Sequence, residues 1–422
     1  MPTIRPAASR LALALALATT AAVGMTAAAT PAFAQKKDKE APAAKANYSK
    51  PFVTAYQPIA TALNAGGDLT PLKAQVAGMV AAASTPDDKF AAGQVTYNIG
   101  AKTSDIALQE QGLDLMLDSG RTPAADLARN TFASAQLAYN AKNYAKARTR
   151  AQAAIAAGYT GDAELIIAET YFAENQPQAG VAEIDKAIAK KTAAGQPVPE
   201  AWLKRALAQA YQAKLDQVSV KYAGQYAQFY PSQNSWGDAI AIQRNLYNFE
   251  GQELLDLMRL ASRTNAMRSE RDYVEYVTAA DARRLPGEVD KVIGAGIAAG
   301  KLKANDVFIA EARTTASGRV KADMADLVGL ERDARAGGAT AATAMAAGDA
   351  FLSYGQAAKA EEFYTIALSK PGVDSARVLT RLGIAQVDQG KTAEAKANFA
   401  KVQGPRASIA QLWSIYAGQK GA

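Results

Sequence analysis

Two residue types are missing outright: the 422-residue chain has neither cysteine nor histidine. Without thiol or imidazole it can build no Cys nucleophile and no Ser-His-Asp relay, and the common zinc ligand sets are closed to it. Disulfides are excluded in any compartment. Catalysis would fall to carboxylates, Lys, Ser or Tyr, and no EF-hand loop, G-x-S-x-G elbow or H-E-x-x-H helix occurs. Runs of alternating β-branched residues are absent, so almost no sheet is expected. The glycine-rich stretch Gly294 to Lys301 fails the P-loop template, because Ala295 and Leu302 stand where Gly and Ser/Thr are needed. It reads as close helix packing with a C-terminal stop. No cofactor and no metal are expected.

Charge is also modest. The formal net charge is +7. Residues 1–34 read as a cleaved signal peptide. Arg5 and Arg10 form a basic segment, Leu11 to Met25 an apolar one, and Ala32-Phe33-Ala34 a cleavage site, with Gln35 as the mature N-terminus. An uncleaved membrane anchor is the other reading, but the apolar core is short for a span. Loss of two arginines leaves +5. The densest basic stretch, Arg259, Arg263, Arg268 and Arg271, is interleaved with Asp256, Glu270 and Asp272. It reads as a solvated helix face rather than a phosphate site, so no nucleic-acid partner is expected.

What the chain has in plenty is alanine in helical periodicity, which favours helix because alanine loses no side-chain entropy there. Residues 35–50 (Lys-, Ala- and Pro-rich) read as a flexible tether. Helical hairpins are expected over 51–126, with Pro58, Pro71, Pro86 and Pro123 at helix boundaries. From there a repeat emerges. Gly348, Gly355, Ala360, Tyr364 and Ala367 recur 35 residues later as Gly383, Gly390, Ala395, Phe399 and Val402. Upstream, Ala135, Ala147, Ala154 and Ile155 recur 33 residues later as Ala168, Gly180, Ala187 and Ile188. Repeat units are therefore assigned to 127–195 and 340–422, with irregular helices over 196–339. A last helix near Ser408–Ala417 is expected to cap the array. A fixed period in this range marks an α-solenoid of antiparallel helix pairs.

These residues resemble the tetratricopeptide repeat family. Its unit of about 34 residues has a small residue in helix A, a turn glycine, then alanine, an aromatic and alanine in helix B. Gly348, Gly355, Ala360, Tyr364 and Ala367 match all five, and the next unit departs only at Val402. Upstream, Lys142 and Asn175 replace the turn glycine. The resemblance implies a right-handed superhelix that binds partners on the helix A side of a concave face. Carried over by position, that face includes Gln136, Tyr139 and Asn140, then Glu169 and Phe172, then Arg381 and Asp388 near the C-terminus. Tyr139 and Phe172 lie 33 residues apart and either line one wall or pack between units. An irregular helical superhelix of another class is the alternative fold.

Nine of the 31 aromatics fall between Trp202 and Phe249. Tyr222, Tyr226, Phe229 and Tyr230 share one helix face. With Trp236 they read either as an aromatic-lined pocket for a peptide or sugar chain, or as core. The functional expectation is a non-enzymatic, exported scaffold in the periplasm. It would hold a protein or peptide of the cell envelope, with no stable membrane span after cleavage. The second reading is a binder of peptidoglycan or another cell-wall polysaccharide through the aromatic stretch. The third is an enzyme with a lone acid, for which Glu200, Glu253 and Glu362 cannot be ranked.

Overall fold

A computed structural model describes residues 46–421. The leader and most of the tether lie outside the described residues. The described residues contain no strand. They form α1 (Lys50–Ala65), α2 (Lys73–Ala82), α3 (Pro86–Lys102), α4 (Ile106–Asp118), α5 (Ala124–Asn140), α6 (Tyr144–Ala156), α7 (Ala163–Ala173), α8 (Pro177–Ala193), α9 (Glu200–Gln212) and α10 (Asp216–Phe229). Then follow α11 (Gln233–Leu246), α12 (Gly251–Arg263), α13 (Glu270–Ala280), α14 (Pro286–Ala298), α15 (Val307–Arg335), α16 (Ala341–Ser353), α17 (Ala357–Leu368), α18 (Ser375–Asp388), α19 (Thr392–Phe399) and α20 (Ala407–Lys420). Each packs chiefly on its sequence neighbours, which makes the architecture an all-α solenoid of helix hairpins.

Local chemistry sets the boundaries. Pro86 and Pro177 open α3 and α8, where a missing N–H costs nothing. Thr85 and Asp88 close a reciprocal cap at the start of α3. Pro58 departs from expectation, since it lies inside α1. A proline there forfeits a helical hydrogen bond. Burial of Phe52, Ile59 and Leu63 on the same helix outweighs that loss. The hairpin turns are left-handed at Gly355 (φ 73°) and Gly390 (φ 76°), as the repeat predicts. Lys142 (φ 62°) and Asn175 (φ 58°) take the same conformation upstream, at some strain.

The paired glycine and aromatic have a direct steric reason. A Cβ on Gly348 would sit 2.6 Å from the Tyr364 ring, and one on Gly383 would sit 2.4 Å from Phe399. Each aromatic thus seats on the glycine of its own hairpin. Gly383→Val is expected to lower stability by about 1–3 kcal/mol through overpacking. An unchanged chemical-denaturation midpoint would refute the pairing. A tighter crossing, unmarked by the repeat, joins α3 and α4. A Cβ on Gly112 would meet the Tyr97 backbone nitrogen at 2.4 Å.

Adjacent hairpins are tied by a ladder of ion pairs. Lys146, Arg150, Arg205 and Lys221 each reach a carboxylate 36 residues earlier: Glu110, Asp114, Glu169 and Asp185. Such partly exposed pairs contribute about 0–1 kcal/mol each, so they set register more than stability.

The C-terminal end departs from a simple stack. The last helix does not merely cap the array. α20 returns to pack on α10, α12 and α18, and α18 itself touches α12. Leu412, Trp413 and Tyr416 of α20 are buried there. The run Leu255 to Ala261 on α12 is buried throughout, so this helix is enclosed by its own chain.

Candidate functional site

The structure treats the two ends of the expected helix A face differently. The first lies on the A helices of three consecutive hairpins, α5, α7 and α9. Tyr139 is half-buried and packs obliquely on Tyr144, with ring centroids 5.8 Å apart. Gln136 is half-buried, and its Oε1 has no hydrogen-bond partner among the described residues. Asn140 is exposed at the end of α5. On α7, Phe172 is half-buried against Gly180. Tyr139 and Phe172 make no ring contact among the described residues, but one ion pair lies near both. Arg205 on α9 donates to both Glu169 oxygens at 2.5 and 2.6 Å, and its guanidinium lies 5.5 Å over the Phe172 ring. The hydrogen bonds it donates to Glu169 hold the Arg205 guanidinium above its ordinary range. Burial, then the Glu169 carboxylate, raises the Tyr139 phenol. Arg205 was missed in the sequence; its 36-residue offset from Glu169 was the available signal.

The second end is already occupied. Arg381 is fully buried and donates to Asp256 at 2.9 Å and to Asp349 at 2.6 and 2.7 Å. Asp388 receives a bidentate bond from Arg263 at 2.9 and 2.6 Å. Arg381 therefore faces no outside partner, which corrects its assignment as a partner-binding residue, whereas Asp388 is exposed and its carboxylate is engaged by Arg263 at the surface. The helix that the C-terminal hairpins hold is the chain's own α12. Arg406 also bonds Asp256, and the Trp413 indole donates to the Asp256 carbonyl at 2.9 Å. Arg259 forms a fork with Glu288 at 2.8 and 2.7 Å, and Tyr276 donates to the same carboxylate. The basic stretch read as a solvated face is therefore partly core, with Arg259 only 1% exposed. Burial pushes the Asp349 carboxyl up, but Arg381 and Arg377 overcome it and hold it well below the usual range. Glu288 is lowered in the same way, against burial, by Arg259.

The aromatic stretch is divided: Trp202, Tyr222, Tyr226 and Trp236 are core, Tyr230 is half-buried, and Tyr211 and Phe229 are exposed. Tyr222 is fully buried, with its hydroxyl donating to Asp185 at 2.7 Å. Tyr226 and Trp236 are 7% and 3% exposed. These three line no open pocket, because large side chains are needed to fill the junctions around α9–α11 and α20. Of the proposed polymer-binding residues these three are therefore unavailable to an outside ligand. The three candidate acids are also engaged. Glu200 accepts from Tyr226 and pairs with Lys204, Glu253 caps α12, and Glu362 pairs with Arg335. Among the described residues no group of acidic side chains is disposed to hold a metal ion. Nor is any helix there long and apolar enough to cross a membrane.

The fold thus defines a helical-repeat protein with one enclosed helix and one open series of A helices. No family model matches the chain, and no curated protein matches its sequence. Among solved structures, one of Naa15/Naa10 bound to HypK-THB is similar over 85% of this chain and 65% of that chain. The identity is 13% and the TM-score 0.39. The chain spans slightly less than two thirds of that chain's length.

Proposed function

We propose that the protein is a non-enzymatic interaction scaffold of the tetratricopeptide class, exported to the periplasm by its N-terminal leader. The A-helix face of α5, α7 and α9 holds a protein or peptide segment of the cell envelope. One observation carries this reading. The C-terminal hairpins use their A-helix residues on their own α12, while Tyr139, Asn140, Phe172 and Arg205 upstream engage no such helix among the described residues. The mechanism is passive. A preformed groove orders little on binding and so loses little affinity to entropy.

Affinity capture of tagged mature protein from cell envelopes, with crosslinking, tests it. One dominant protein partner is expected. Tyr139→Ala combined with Arg205→Ala is expected to weaken its binding about tenfold or more while leaving the melting temperature within a few degrees. Capture unaffected by the double substitution would sink this face as the site. Co-sedimentation with purified cell wall, without a protein partner, would sink the scaffold reading in favour of a polymer binder.

A further inference from the structure

The enclosed α12 opens on one side into a cleft of about 340 Å³ between α12 and α13. Gln252, Leu254, Val274, Thr278, Ala279 and Arg284 form most of its wall. That volume is at the small end of the range for ligand sites, and the wall sets apolar Leu254, Val274 and Ala279 among polar side chains. We propose that this cleft binds the carboxylate end of a short apolar ligand, with the carboxylate on Arg284 and the chain against Leu254, Val274 and Ala279.

Charge imbalance behind the cleft argues for an anion. In the network around α12, six guanidiniums (Arg259, Arg263, Arg284, Arg377, Arg381 and Arg406) face four carboxylates, those of Asp256, Glu288, Asp349 and Asp388. Arg284 and Arg377 share one oxygen of Asp349, at 3.0 and 2.9 Å. Arg377 also donates to Gln252, so the unbalanced cations adjoin the cleft wall. Two further observations show unmet demand, one behind the cleft wall and one on it. The Arg377 Nε is buried with no acceptor among the described residues. The Arg284 side chain makes one hydrogen bond among the described residues, to Asp349, and is 35% exposed. The rest of its planar fork is free to take a carboxylate side-on. Burial, then the nearby Arg381 charge, lowers the Arg377 guanidinium, as expected where cations outnumber anions.

Two carboxylates also line the cleft. Glu275 is neutralised by Arg244 and Arg271. Asp281 accepts from the Arg283 backbone and stands at the end of α13. Asp281 disfavours multiply charged anions, which is why a single carboxylate on an apolar body fits better than phosphate. A free aliphatic acid and a peptide C-terminus share this chemistry.

Calorimetric titration of the full chain with hexanoate, acetyl-Leu-Val and its C-terminal amide tests the site. At least one of the two acids is expected to bind, and which one identifies the source. The amide should bind about tenfold more weakly or not at all. Arg284→Gln should weaken the acid about tenfold or more. Thr278→Trp, which fills the cleft from an exposed position, should abolish binding and decides the matter if R284Q fails to fold. No binding by either acid, equal binding of the amide, or unchanged affinity in folded R284Q or T278W would overturn the proposal. The site is separate from the α5–α9 face, so its failure leaves that reading standing.

Discussion

Asp256→Ala is expected to lower the unfolding free energy of the C-terminal half by about 3–5 kcal/mol. Asp256 is fully buried and bonds three guanidiniums: Arg259, Arg381 and Arg406. Deleting one buried partner strands the others in low dielectric, which costs far more than the intact pair contributes. Here the penalty is compounded, because the network already carries more cations than anions. The effect should appear as a fall in the denaturant midpoint followed by tryptophan fluorescence, since Trp413 donates to the Asp256 carbonyl. Asp388→Ala is the internal control. Its pair with Arg263 is about a quarter exposed, and its loss should cost about 1 kcal/mol or less. Equal effects from the two substitutions would show that the enclosed network does not hold α12 in place.

The second large effect is acid opening of the same region. Asp349 and Glu288 are both lowered in the folded state by their arginines. A carboxylate lowered on folding adds stability above its unfolded value and loses it as pH falls through the folded one. The ordinary values are about 3.9 for Asp and about 4.3 for Glu. Stability should therefore hold down to about pH 4 and fall steeply below it, as buried arginines lose their partners. Buried Tyr276 and Tyr364 are raised by burial and by Glu288 and Asp349, respectively. Raised groups contribute below their unfolded value and lose that contribution at higher pH, so the alkaline limit begins near pH 10. With no histidine, no side chain at its ordinary value titrates between about pH 5 and about pH 8. Circular dichroism and fluorescence along a pH series should show a plateau between those limits. A transition centred near neutral pH would contradict the assignment of these groups.

The enclosure of α12 changes what a repeat array of this kind can present. In the C-terminal hairpins the A-helix positions that the family resemblance assigns to a partner are used, but on a helix of the same chain. Arg381 and Asp388 both lie on α18, and the side chains they meet on α12 are internal to the chain. Tyr139, Glu169 and Phe172 remain on the face that engages no enclosed helix among the described residues. The aromatic stretch showed the opposite outcome. Its helical spacing was real, but spacing does not say which side of a helix is covered, and the returning α20 contributes to burying Trp236.

The sequence by itself determined the helices, their turns and the repeat, because these depend on contacts between near neighbours. Alanine periodicity, proline at helix starts and glycine at left-handed turns are legible one hairpin at a time. Even the seating of Tyr364 on Gly348 and of Phe399 on Gly383 left a mark at a fixed spacing. The tertiary structure alone decided which A-helix face stays open. Asp256 meets Arg381 across 125 residues and Arg406 across 150. No local pattern encodes such pairings, since they depend on how the turns between many hairpins add up. That accumulated geometry encloses α12, draws Arg259 of the basic stretch into the core, and leaves the cleft beside Arg284.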